Sequence, residues 1–222
     1  KNEVYVNSDG SQRSYRAGIY DNPYWTVARN PSFDDVNRFI GNLQFDYKIA
    51  DWLSLKGTYG YDRFTDSRKL GVDVGSATDS NGFLVDRDES NEDISSQILF
   101  IANKDFGETL NVGATVGYDQ YHNNRLIRRT DGFALTIPSF FHVSNTASQT
   151  NQEIVDRKKL RAILGQATVG YDNTVFINGS FRNDWSSTLP KDSNSFQSYS
   201  VGGSFVFSEL LKNISWFDYG KI

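Results

Sequence analysis

The 222-residue chain has no cysteine and no methionine, and only 4 prolines and 2 histidines. Without cysteine there are no disulfides, no thiolate metal sites and no cysteine nucleophile. His122 and His142 fall in no H-E-x-x-H or zinc-ligand spacing and are read as loop residues, which removes the usual carriers of metal-assisted and triad chemistry. Nucleophile-elbow, phosphate-loop and dinucleotide fingerprints are also missing, so neither an enzyme nor a bound cofactor is expected. No run of about 18 apolar residues occurs, which excludes a membrane-spanning helix. Lys and Arg number 23 against 27 Asp and Glu, a net charge of -4 that gives no footprint for nucleic acid. No methionine starts the chain and no signal peptide precedes Lys1, so an excerpt or a processed product is expected.

What is present is aromatic and polar at once: aromatics make up 14%, with 18 glycines and a mean hydropathy of -0.52. Disordered chains are poor in aromatic residues, so a folded chain is expected. In "FIGNLQFDYKI" Phe39, Gly41, Leu43, Phe45, Tyr47 and Ile49 alternate with Ile40, Asn42, Gln44, Asp46 and Lys48. A two-residue period places one apolar face on a strand. After only Ala50 and Asp51 the pattern resumes with Leu53, Leu55, Gly57, Tyr59 and Tyr61, which implies a hairpin. Residues 110–119, 175–181 and 198–207 repeat the alternation, residues 163–171 follow it except at Leu164, and "ISSQILFIANK" is apolar on both faces.

The connections alternate in length. "AD", "NKDFGET", "DN" and "SELLKN" are short, whereas about 30 residues follow Phe64, about 40 follow Gln120 and a medium connection follows Trp185. Structureless loops of that length count against a compact soluble domain. They fit an outer-membrane barrel, with its short periplasmic turns, long extracellular loops and alternating strands of about 10 residues. The expected fold is therefore all-β, an antiparallel transmembrane barrel segment of roughly 8 strands.

"TYGYD" at residues 58–62 recurs as "TVGYD" at 115–119 and 168–172. Each Tyr (Tyr61, Tyr118, Tyr171) is expected on the apolar face at a strand end, followed by Asp, as a girdle residue whose ring meets acyl chains while its hydroxyl stays wet. A repeat of about 50 residues, as in a propeller, fails because the third copy runs in the opposite strand direction. The acidic stretch "DSNGFLVDRDESNED" places Gly82 fourth from Asp79, where a calcium loop needs it sixth, and is read as a solvated loop. In the long loops Tyr24, Trp25, Phe140, Phe141 and Trp185 are candidates for contact with a substrate or partner; packing of the loops on one another is the alternative. Arg182 and Asp184 share the polar face of one strand at a spacing of about 7 Å. A direct bond is not expected at that distance; a luminal network is, with partners at residues 166–168 and 198–204 or on strands outside the chain.

"DNPYW", "RFIGNLQFDYKIADWLSLKGTYGYD", "FRNDWSSTLPKDSNSF", "GGSFVFSE" and "YGKI", in this order from Asp21 to Ile222, resemble the barrel portion of SusC/RagA-type TonB-dependent outer-membrane transporters of Bacteroidota. Tyr199 stands where the family pattern would put a proline before serine. The resemblance implies an active importer of oligosaccharides or peptides, built on a barrel of about 22 strands. It also implies a plug that receives energy from the TonB complex and a SusD-like surface lipoprotein over the mouth. Plug, TonB box and the remaining strands are expected outside residues 1–222. A soluble secreted carbohydrate-binding β-sandwich, whose apolar face would cover a core, and a surface adhesin or small autonomous membrane barrel are the competing readings.

Overall fold

The computed structural model describes residues 4–14, 16, 18–208 and 220–222. One sheet runs through it in chain order, β1-β2-β3-β4-β5-β6-β7, each strand antiparallel to the next. The strands are β1 (Ser32–Ala50), β2 (Leu53–Val72), β3 (Phe83–Phe106), β4 (Leu110–Leu135), β5 (Thr146–Tyr171), β6 (Val175–Ser186) and β7 (Ser195–Phe205), preceded by a short helix, α1 (Pro23–Arg29). The six alternating segments and "ISSQILFIANK" all fall on strands, except that residues 206 and 207 lie beyond β7. Backbone bonds between Phe205 and Ile222 run in both directions, at 2.8 and 3.0 Å, as at the start of a further antiparallel pairing. Most of the "SELLKN" turn, residues 209–213, and Tyr219 of "YGKI" lie outside the described residues.

Strand length departs from expectation. β3, β4 and β5 run for 24, 26 and 26 residues, and the connections shrink to residues 73–82 and 136–145. Most of each expected long loop is therefore strand. Alternation reports an apolar face, and a ladder with water on both sides needs none. Polar cross-strand pairs hold these portions instead: Ser67 to Asp88 at 2.6 Å, Lys69 to Asp86 at 3.2 Å, Arg125 to Glu89 at 2.7 Å and Arg128 to Glu153 at 3.0 Å. Three expectations are corrected by the same fact. The acidic stretch enters β3 at Phe83 and is not a loop, His122 lies within β4, and Tyr61 and Tyr118 stand inside β2 and β4, not at their ends. Tyr171 does end β5.

Short turns follow local chemistry. Asp172 and Asn173 take φ of 51° and 53°, the left-handed geometry of a tight hairpin, which short polar side chains tolerate. β5 and β6 then pair with Gly165 opposite Phe181, Leu164 opposite Arg182 and Ala162 opposite Asp184; β6 and β7 pair with Phe181 opposite Tyr199 and Arg182 opposite Ser198. Facing residues share a side of the sheet, so Phe181 and Tyr199 lie on one face and Arg182 on the other.

Two compact units divide the chain. Unit 1 comprises Lys1–Phe39, Arg63–Glu92 and Asn124–Asp156 and contains α1 and the connections 73–82 and 136–145. Its core is Trp25, Val72, Leu84, Ile127 and Leu135, with Asn22, Asp73, Ser76 and Asn145 buried beside them. Unit 2 comprises Ile40–Asp62, Asp93–Asn123 and Arg157–Ile222 and contains the short turns. It is built differently. Leu43, Phe45, Tyr47, Tyr59, Phe100, Val116, Tyr118, Ile163, Ile177, Phe181, Tyr199 and Val201 are all exposed, the last two at 83% each. A sandwich would cover such a face with a second sheet; among the described residues there is one sheet and the face is bare.

Candidate functional site

On the opposite face of unit 2 the alternation collects polar side chains. Arg182 on β6 is the centre. Its Nε donates to both carboxylate oxygens of Asp184, at 3.0 and 2.9 Å, and its Nη2 donates to Oδ1 at 2.9 Å. The expectation that an i, i+2 pair is too far apart for a direct bond is thus overturned. The backbone spacing stands, but the long arginine side chain leans along the strand and closes it. Nη1 reaches Oδ2 of Asp119 on β4 at 2.7 Å, and Gln97 on β3 donates to Oδ1 of the same carboxylate at 2.6 Å. Among the described residues the partner of Arg182 outside β6 is thus Asp119 on β4, to which Gln97 on β3 is bonded in turn, and not residues 166–168 or 198–204. Nearby, Tyr121 and Asn123 both donate to Oδ1 of Asp93, the latter at 2.9 Å.

Arg182 reaches β4 across β5, and the side chains beneath it explain how. Ala162, opposite Asp184, is 1% exposed, small enough to leave room for the guanidinium above it. With Thr58, Ser95, Gln97, Tyr121 and the three charged residues, Ala162 lines an open cavity of about 340 Å³. Such a surface is rich in fixed donors and acceptors and can hold a polar partner.

Unit 1 gathers the loop candidates. Asn22 caps α1, its side chain accepting the Tyr24 N–H at 3.0 Å, with Pro23 at the first helical position. Trp25 is 3% exposed and donates Nε1–H to Ser76 Oγ at 2.9 Å, so its ring packs inside the unit and does not face solvent. Tyr24 and Phe140 are exposed. Phe140 stacks on His142, the ring centroids 5.9 Å apart, while the Phe141 ring covers Gly71, where any Cβ would meet it at 2.4 Å. Trp185 lies in β6 opposite Arg161, in unit 2 and not in a loop.

Asp73 was not expected. It is 1% exposed, and its carboxylate accepts the Val74 N–H at 2.9 Å, the Ser139 N–H at 2.6 Å and the Ser139 hydroxyl at 2.6 Å, with Arg29 Nη1 at 3.4 Å. Asp21 has a similar role at the edge of the unit. Burial pushes its carboxyl up, but bonds from Gln12, from the Ala77 N–H and from Thr78 outweigh that and hold it below the usual carboxylate range. Nothing in the sequence separates these two from the other aspartates, because the donors that hold them, Ser139 for Asp73 and Ala77 and Thr78 for Asp21, lie 56 to 66 positions along the chain.

No protein-family model matches the chain, and no curated protein matches it in sequence. Solved structures do. The RagAB peptide transporter aligns with a TM-score of 0.75 at 18% identity, covering 88% of this chain and 22% of that one. Two structures of the RagAB peptide importer align similarly, the closed-closed state at 0.74 and 18% identity and the open-open state at 0.67 and 21% identity, again over 88% of this chain. The chain spans about a fifth of the length of each of these chains, 22%. No described helix is long and apolar enough to cross a membrane, a criterion silent on strands. At these identities the likeness establishes architecture alone: over 88% of its length the chain folds as the corresponding stretch of the RagAB peptide transporter does, an antiparallel run of strands of the kind the sequence resemblance implies.

Proposed function

We propose that the chain forms part of the wall and outer strands of a TonB-dependent active importer of oligomeric nutrients across the bacterial outer membrane. The observation that carries this reading is the bare apolar face of unit 2 opposite a hydrogen-bonded polar one. Lipid satisfies the first and a wet lumen the second. Tyr61, Tyr118 and Tyr171 then serve as interface aromatics on the lipid side. The Arg182 network fixes wall geometry. Tyr24, Phe140, Phe141 and the half-exposed Trp185 contact substrate or partner, together with Trp25, whose buried ring is uncovered on binding.

The substrate is a glycan or peptide oligomer, and the likeness to a peptide importer favours the peptide. A SusD-like surface lipoprotein and the TonB complex, acting through a plug, complete the machine. The test uses the full-length protein in its host. Deleting its gene should abolish growth on oligomers of the right class while leaving growth on the corresponding monomers intact, and inactivating TonB should give the same phenotype. Oligomer growth that persists in both strains would reject an importer.

A further inference from the structure

We propose that Asp73 is a positioning residue that latches α1 to the segment bearing Ser139, Phe140 and Phe141, so that Tyr24 and Phe140 are held in place before anything binds them. The latch joins three stretches of unit 1 that are 44 and 66 positions apart in sequence. Each carboxylate oxygen is used twice. Oδ1 accepts the N–H groups of Val74 and Ser139; Oδ2 accepts the Ser139 hydroxyl and faces Arg29 Nη1. That nearly exhausts the acceptor capacity of a carboxylate, and the side chain is 1% exposed, so water does not supply substitutes.

The helix is held from two directions. Arg29, in its last turn, donates Nη1–H to Ser139 Oγ at 2.6 Å, and its guanidinium carbon lies 5.3 Å from the Trp25 ring centroid. Asn30, directly after the helix, accepts the Asp73 N–H at 2.9 Å and the Ser76 hydroxyl at 3.2 Å; Ser76 in turn accepts from Trp25. The price appears at Ser139, whose φ of 58° is disfavoured for a residue with a Cβ and persists only where surrounding bonds over-determine it. Tethered in this way, α1 presents Val27 at 88% exposure and Tyr24 beside it, while Phe140 follows Ser139 directly. Groups that are already ordered lose less entropy on binding than groups ordered by their ligand.

What Tyr24 and Phe140 touch rests on the function proposed above; the latch itself does not. Hydrogen exchange of the full-length protein in detergent, comparing wild type with Asp73→Asn and Ser139→Ala, tests the latch directly. Asp73→Asn turns an acceptor toward donors as a donor. Amides of residues 23–30 and 137–141 should then exchange about tenfold faster or more, both segments together, with residues 110–119 unchanged. Ser139→Ala, which removes only the hydroxyl bonds, should release the same two segments to a smaller extent and serves if Asp73→Asn does not fold. Release confined to residues 73–76, or of one segment without the other, would overturn the proposal. In uptake assays Ser139→Ala should raise the apparent KM with the maximal rate preserved. Released segments with unchanged uptake would uphold the latch and count against Tyr24 and Phe140 as contacts.

Discussion

Arg182 on β6 bonds Asp119 on β4 at 2.7 Å, spanning the whole of β5 between them. Asp119 is the last residue of the middle "TVGYD", and its neighbour Tyr118 is exposed on the opposite face. The pentapeptide therefore sets two residues to work on two sides of one sheet: a ring for the apolar side and a carboxylate for the network.

Because Ala162 underlies this bridge, Ala162→Leu should displace the guanidinium and cost about 1–3 kcal/mol by overpacking. Asp119→Ala should cost about 1 kcal/mol, since the Arg182 side chain is 40% exposed and its screened ion pair contributes little. Both variants remove the same bond, so the double variant should lose less than the sum of the two. Urea titration of the full-length protein in detergent reads all three; additive losses would separate Ala162 from the bridge.

Faces give the second prediction. Val112 shares the exposed apolar side of β4 with Val116, while Thr115 shares the polar side with Asp119. Val112→Arg should cost about 2–4 kcal/mol near the bilayer midplane and Thr115→Arg much less. Equal losses of heat-stable folded barrel would contradict the assignment of lipid and lumen.

Legibility in the sequence tracked apolar content. Residues 39–62 and 110–119 declare their strands because one face is apolar; residues 63–72, 83–93 and 120–135 are strands that pair through Arg125 with Glu89 and Lys69 with Asp86, which no periodicity announces. The site followed the same rule. Alternation places Arg182, Asp184 and Asp119 on one face, but which of them meet depends on strand order and side-chain reach, and a pairing two strands away leaves no local mark. Asp73 was illegible for a further reason: its donors, the Ser139 N–H and hydroxyl, are 66 positions distant.

Asp21 makes a pH-dependent tether. Its folded pKa lies below the usual value of about 3.9, so its bonds to Ala77 and Thr78 stabilise the fold fully above that value and are lost as pH falls through the folded pKa. Protection of the Ala77 amide, corrected for intrinsic exchange, should drop across this acidic window. In Asp21→Asn, which keeps an acceptor and cannot titrate, it should stay flat. A drop of the same size in the variant would assign the transition to another group.

The last prediction sets two glycines of the apolar face against each other. Gly57 on β2 lies under the Phe45 ring of β1, so close that an added Cβ would stand 2.0 Å from Cε1 and 2.2 Å from Cζ. An aromatic ring over a strand glycine covers backbone that would otherwise be bare and pins the strand pair in register. Gly165 on β5 faces open space, with nothing within 4 Å of an added Cβ. In a strand, alanine is ordinarily favoured over glycine by about 0.5–1 kcal/mol, because glycine loses more backbone freedom on folding. Gly165→Ala should collect that gain. Gly57→Ala should forfeit it: the ring must swing away from the strand, and the lost contact should leave the variant about 1 kcal/mol less stable than wild type. Since Phe45 is itself exposed on the apolar face, Phe45→Ala should remove the penalty, and adding Gly57→Ala to it should become neutral or stabilising. Urea midpoints of the full-length protein in detergent decide the matter. A Gly57→Ala cost that survives in the Phe45→Ala background would place the strain in the backbone and not in the ring.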